Sequence, residues 1–474
     1  MAAELRPDIC VIGAGSGGLS VAAAAAAFGV SVVLVEKDRM GGDCLNPGCV
    51  PSKALISAAR AAAAIRAAGR FGIDAGEPQV DFARVMAHVH GVIGEIAPND
   101  SEERFAGLGV RVIRAAARFT GPDTVAAGGE TIRARRFVIA TGSRAGIPPI
   151  PGLAEVPFLT NETIFGLTEL PRRLLVLGGG PIGMELAQAF RRLGAEVVVL
   201  EAAAALSRDD PELAAIVVDA LRRDGVELRE GVRILSARRD GAGVALELAA
   251  GDGVETLVGS HLLVAAGRRP NVEDLGLELA GVALGERGIA VDTGLRTTNR
   301  RVYAIGDVAG SYQFTHVANY HAGLVLRAIL FRLPVSERRD IIPWTTYTDP
   351  ELAFVGLGEA AARERHGEIR VLRWPFAEND RATAEGDRHG FAKIIATKRG
   401  RIVGAGVVGR DAGELIPLYA MAVARKMKVG ALAGLVFPYP TRAEVARRAA
   451  ITYYTPSLTS PWTRRIIAFL RRFG

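Results

Sequence analysis

Two short runs that are apolar at every position, Ile9–Ile12 and Leu174–Leu177, each lead straight into a glycine-rich turn. A run with no polar alternation predicts a strand buried on both faces, the kind found inside a parallel sheet. After the first turn an alanine-rich stretch predicts a helix, Phe28-Gly29 a turn, and Ser31–Val35 a second buried strand closing at Glu36. Leu19–Val35 is the most membrane-like stretch, but Phe28-Gly29 breaks it and Glu36 ends it, so a helix, a turn and a strand fit better than a span of ~20 residues. The same plan recurs later, with helix Met184–Leu193, strand Glu196–Leu200 and a closing Glu201. In both copies the glutamate lies 23 residues after the first glycine.

The turns themselves are Gly13-x-Gly15-x-x-Gly18 and Gly178-x-Gly180-x-x-Gly183. Such spacing alone is weak evidence, but here it has a strand before it, a helix after it and an acid at the end of the next strand. Glycines permit a tight turn and close approach of backbone to a pyrophosphate, whose charge the helix N-terminus favours. Glu36 and Glu201 are placed to accept from ribose hydroxyls. The sequence therefore predicts two dinucleotides bound in two separate domains. Glu201 suits a free 2′-hydroxyl and repels a 2′-phosphate, and no arginine directly follows it, which favours NAD(H) over NADP(H).

Phe137–Ser143 and Leu262–Arg268 are apolar strands ending in small residues, and Val302–Asp307 is a third such strand ending in Gly-Asp. From about Trp344 strand-like runs such as Phe391–Ala396 and Arg401–Val408 alternate with helices, predicting an α+β unit. The expected class is α/β, with two Rossmann-like domains and a C-terminal α+β domain. Lys53–Ala68 has helical composition.

Composition narrows the class of protein. The 474 residues are 49% apolar and 23% charged, a globular balance. The net charge of +7 hints at nucleic acid, but seven arginines against one acid lie between Arg442 and Gly474. The remainder is nearly neutral, so no nucleic-acid partner is expected. The opening residues show no basic segment followed by an apolar one, which predicts a cytoplasmic chain.

There are three cysteines, too few for a disulfide scaffold. Cys10 sits in the first apolar run and is expected to be a small buried hydrophobe. Cys44 and Cys49 stand in Gly41-Gly-Asp-Cys-Leu-Asn-Pro-Gly-Cys-Val-Pro-Ser-Lys53, with a helix expected to follow. With four residues between them, they can close a small disulfide ring, and the helix dipole with Lys53 would favour a thiolate. Zinc would need further Cys or His ligands, and none lies nearby, so no resident metal site is expected. A catalytic dithiol is the reading that survives.

That segment resembles the signature of the class I pyridine nucleotide–disulfide oxidoreductases, which include dihydrolipoamide dehydrogenase, glutathione reductase and mercuric reductase. The resemblance runs from Ile9 to about Ala450. It implies FAD on the first glycine motif, NAD(P)H on the second, and a C-terminal domain that forms a homodimer. The implied boundaries are 1–152 with 271–343 for FAD, 153–270 for the nicotinamide, 344–455 for the interface, and 456–474 as a basic amphipathic tail. Cys49 matches the charge-transfer thiol beside the flavin and Cys44 the interchange thiol that meets substrate. Lys53 matches the lysine near flavin N5 and Glu185 its glutamate partner. Asp307 matches the residue on the ribityl chain, and Thr141 and Gly142 match a segment near the FAD. Hydride would pass from NADH through FAD to the dithiol and on to an acceptor.

The pattern breaks near the C-terminus. Disulfide-reducing members carry His-Pro-Thr-x-x-Glu across the dimer, whereas this chain has Tyr439-Pro-Thr-Arg-Ala-Glu444. Tyrosine, with a pKa of ~10, is a poor proton shuttle near neutrality. His316 is the candidate substitute base. The Phe437-Pro-Tyr439 segment is similar to mercuric reductase, where a tyrosine lines the metal site, but no cysteine follows Cys49 to deliver metal. The expected activity is mercuric-reductase-like, with a small thiol, disulfide or metal ion as acceptor. Dihydrolipoamide dehydrogenase with a substituted base is the second enzyme reading, and a flavin-bound redox sensor the non-enzyme one. Trp462, Ile466, Phe469 and Phe473 recur at helical spacing beside four arginines, which suggests a helix that meets a membrane surface, an acidic partner or its own dimer.

Overall fold

A computed structural model describes residues 4–251, 253–458 and 460–473. The ends of the expected segments at residues 1–3 and 474, and Thr459 within the tail, lie outside the described residues. The chain forms two compact units, one of residues 1–65, 77–202 and 227–337, the other of residues 66–76, 203–226 and 338–474.

In the first unit the duplicated sequence plan becomes a duplicated sheet. Ile9–Ile12 lies between Val32–Glu36 and Arg136–Ile139, with Arg111–Arg114 outside the former and Val302–Ala304 outside the latter. In the second sheet Arg173–Leu177 lies between Glu196–Leu200 and His261–Val264, with Glu227–Arg229 outside the former. All these pairings are parallel. Ile9, Cys10, Val11 and Ile12 are all buried, as expected for a strand covered on both faces. Cys10 is one of these core residues, and burial pushes its thiol up to about 12. Each first strand has its neighbours on opposite sides, so the chain leaves in opposite directions there and opens a crevice at the strands' C-terminal ends.

The helix expected over Lys53–Ala68 runs instead over Cys49–Arg66. Pro51 reads as an interruption in sequence, yet it falls in the first helical turn, where a missing N–H costs nothing. The shift places Cys49 on the helix N-terminus rather than ahead of it.

The second unit is built on an antiparallel sheet ordered Pro343–Thr346, Glu351–Gly356, Ile402–Gly409, Phe391–Thr397 and Ile369–Pro375. Helix Pro211–Arg223, which lies in sequence within 153–270, belongs to this unit. Fully buried Lys393 on the sheet holds it, with Nζ 2.7 Å from Asp210, 2.9 Å from Glu212 and 2.7 Å from Glu359. Trp344 Nε1 also donates to Asp209 at 2.7 Å. A buried ammonium demands such partners.

Candidate active site

The two glycine turns are alike in detail. Gly13 and Gly178 have φ of +104° and +112°, and their N–H groups donate to Val35 and Leu200 at 2.8 and 2.9 Å. A Cβ on Gly18 or Gly183 would lie 1.9 Å from the carbonyl oxygen of the first glycine of its motif, so helix and turn pack only with glycine there. The middle glycines differ: a Cβ on Gly15 would meet nothing nearer than 4.0 Å, and one on Gly180 nothing within 4 Å. Helices Ser16–Ala27 and Pro181–Leu193 begin with no side-chain cap and no acid in the first turn. A middle glycine free of close neighbours beside an uncapped helix start fits the pyrophosphate of a dinucleotide in both copies.

The closing acids also match. Glu36 accepts from the Ala14 N–H at 2.6 Å and the Asp38 N–H at 2.7 Å, and Glu201 accepts from the Gly179 N–H at 2.7 Å. Each carboxylate is thereby anchored beside its own glycine turn, where a ribose would meet it.

The dithiol loop rests on the first turn. Gly41 N–H donates to the Ala14 carbonyl at 3.0 Å, and a Cβ on Gly42 would lie 2.7 Å from Gly15 Cα. The two glycines that open the cysteine signature therefore let the loop approach the dinucleotide turn. Cys44 sits in the short helix Gly42–Leu45, and Asn46 Nδ2 braces it by donating to Met40 and Gly42 carbonyls at 3.0 and 2.9 Å. Cys49 opens the next helix, with its Sγ 3.3 Å from Thr315 Oγ1. One turn on, Lys53 Nζ is 2.8 Å from Glu185, which is buried on the helix of the second glycine motif.

The two thiols are electrically unequal. A hydrogen bond from Cys44, aided by Thr315 and the Lys53 charge, outweighs burial and the Asp43 carboxylate and brings the Cys49 thiol down to about 6. The same hydrogen bond, followed by burial, pushes the Cys44 thiol well above the ordinary range. The surroundings thus favour negative charge on Cys49 and the proton on Cys44 in the reduced pair.

Residues with no assigned role in sequence complete the site. Arg268 bridges two elements: it is 3.1 Å from Asp43 in the cysteine loop, and its Nε donates to Ser143 Oγ at 2.8 Å. Ser143 in turn donates to Asp307, whose carboxyl is raised by burial. Gly306 N–H donates to His321 Nδ1 at 3.1 Å, and His321 Nε2 lies 2.9 Å from Glu337, so the buried imidazole fixes the Gly306-Asp307 turn. Thr141 and Gly142 are held by Asn271: Thr141 Oγ1 donates to its carbonyl at 2.7 Å, and Asn271 N–H donates to the Gly142 carbonyl at 3.0 Å.

His316 follows Thr315, but it is exposed and its ring stacks on Phe314 at 5.3 Å. Tyr439 and Glu444 belong to the second unit. Tyr439 is 70% exposed and its hydroxyl donates to Asp380 at 2.7 Å, which raises its pKa further. Glu444 pairs with Arg448 at 3.1 Å. Among the described residues, no group of three or more His, Cys, Asp or Glu converges to hold a metal ion.

Comparison with known proteins gives a consistent picture. Residues 7–322 match the family model "Pyridine nucleotide-disulphide oxidoreductase", and residues 342–450 match the dimerisation domain of that family. The chain is 38% identical to a mercuric reductase of Streptomyces lividans, over 94% of this chain and 96% of that one. It is 37% identical to a dihydrolipoyl dehydrogenase of Thermus scotoductus, over 94% and 96%. Among solved structures it is similar to a Cu(II) complex of the HOCl-induced flavoprotein disulfide reductase RclA from Escherichia coli, with a TM-score of 0.84 and 28% identity over 94% of this chain and 99% of that one.

Proposed function

We propose, for a chain that belongs to the pyridine nucleotide-disulphide oxidoreductase family, that it uses NADH to reduce a thiophilic metal ion held by Cys44 and Cys49. The family binds FAD and uses NAD(P)H, so the chain is a flavoenzyme, and the matched dimerisation domain supports a homodimer. FAD, when bound, supplies a two-electron carrier between the nicotinamide and the dithiol.

The observation that carries the choice of acceptor is Tyr439, in the sequence position of the histidine that would take the proton from Cys44. An interchange thiol must lose that proton before it attacks a disulfide, and disulfide-reducing relatives use a histidine for this. Tyr439 stands in that place, and its pKa is raised by Asp380. A soft metal ion needs no such base, because binding to sulfur itself drives the proton off. Cys49 offers a thiolate, Cys44 becomes the second as metal binds, and Lys53 with Glu185 keeps a cation beside the pair. NADH gives up two electrons, one Hg(II) becoming Hg(0) or two Cu(II) becoming two Cu(I), with release of one proton and NAD⁺. Arg268 holds the cysteine loop against the Asp307 turn throughout.

The test is NADH oxidation by the purified flavoprotein with Hg(II), Cu(II) or a small disulfide, and NAD⁺ reduction with dihydrolipoamide. Metal-dependent turnover, lost in both Cys44→Ser and Cys49→Ser, is expected. Rapid dihydrolipoamide turnover with no metal stimulation would overturn the metal reading and leave the flavin assignment intact.

A further inference from the structure

The C-terminal helix Pro461–Leu470 begins cleanly, with the Ser460 hydroxyl accepting from the Thr463 N–H at 3.1 Å. Every one of its residues except Thr463 is exposed. Trp462 is 72% and Phe473 74% exposed, so the apolar stripe is not covered by the chain that carries it. Phe469 and Phe473 meet edge to face at 5.1 Å and extend the stripe past the helix end.

At ~100° per residue, Trp462, Ile466, Phe469, Leu470 and Phe473 fall within an arc of about 100°. Arg464, Arg465, Arg471 and Arg472 fall on the opposite side and its flanks. No acidic residue occurs between Val445 and Phe473. Among the described residues, no helix is long and apolar enough to cross a membrane, so a hydrophobic role for this segment is to lie along a surface.

We infer that the helix docks the enzyme on an anionic lipid surface. Its aromatic and aliphatic side chains would enter the boundary between headgroups and acyl chains while the arginines meet lipid phosphates. An apolar stripe opposed by four cations is complementary to that surface in both respects. Two copies of the helix laid stripe to stripe would gain apolar contact but bring the flanking Arg465 and Arg472 of each copy toward the seam with no acid to meet them. The inference is independent of which acceptor the dithiol serves.

The experiment is co-sedimentation of the full-length flavoprotein with phosphatidylcholine vesicles, with and without phosphatidylglycerol. Binding only to the anionic vesicles is expected, and replacing Arg464, Arg465, Arg471 and Arg472 with Gln should weaken it by roughly a hundredfold or more. W462S/F469S should weaken binding comparably, with NADH oxidation in solution unchanged in both variants. Equal binding to both vesicle types, or undiminished binding by the Gln variant, would overturn the inference. So would absence of vesicle binding, and a dimer that dissociates more readily in W462S/F469S would then identify a second copy as what covers the stripe.

Discussion

Deleting the sulfur of Cys44 should raise the pKa of Cys49, although the two residues are alike in chemistry and both partly open to solvent. The hydrogen bond from Cys44 is the largest influence on Cys49, ahead of Thr315 and Lys53, and together they bring the thiol from 9.0 to about 6. At pH 7 such a group is about 90% thiolate, against about 1% for an unshifted one. The rate of iodoacetamide alkylation at Cys49, located by mass spectrometry in reduced enzyme, reports that fraction. In the native pair the rate should be level above pH 7 and fall as pH drops through about 6, because the thiolate is then protonated. Cys44→Ala leaves burial and Asp43 opposed only by Thr315 and Lys53, so the midpoint should move up by roughly one to two units. Cys44→Ser restores a donor and should return most of that shift. A native midpoint near 9, or one unmoved in Cys44→Ala, would refute the account of the pair.

Three further outcomes are expected. Glu185→Gln removes the buried partner of Lys53, and stopped-flow measurement should show flavin reduction by NADH slowed roughly tenfold or more with FAD still bound. Glu201→Ser removes the carboxylate that would face a 2′-phosphate, and steady-state kcat/KM should shift toward NADPH by about tenfold or more relative to NADH. Lys393→Ala strips Asp210 of its buried cation, and denaturant unfolding should show a loss of about 3 kcal/mol, with Lys393→Met no better at satisfying Asp210.

What the sequence made legible was local in the chain. Each glycine turn is defined by a strand, a helix and an acid within about thirty residues, so pattern and spacing suffice to find it. The cysteine segment is likewise continuous. Contacts that join distant segments had no such signal. Cys49 and Thr315 are 266 residues apart, and nothing in the run Phe314-Thr-His316 singles out the threonine above the histidine. The stretch Gly267–Pro270 looks like a strand end, and only folding brings Arg268 against Asp43 and Ser143. Lys53 and Glu185 were linked by resemblance, not by any periodicity that could pair residues 132 positions apart. The start of the helix at Cys49 was hidden because proline signals a break in mid-helix and a beginning in the first turn.

The allocation of helix Pro211–Arg223 bears on how this protein can be taken apart. Residues 66–76 and 203–226 leave the first unit's run of sequence and return to it, so no single cut separates the two units. A fragment ending at Glu337 would keep Leu213, Val217 and Leu221, buried in the whole chain, but lose the sheet that carries Lys393. A fragment starting at Arg338 would keep Lys393 and lose Asp210. Either cut therefore parts helix Pro211–Arg223 from the sheet it belongs with. Every residue of the first unit has been synthesised by Glu337, whereas helix Pro211–Arg223, made early, must wait for the C-terminal sheet before its apolar face is covered.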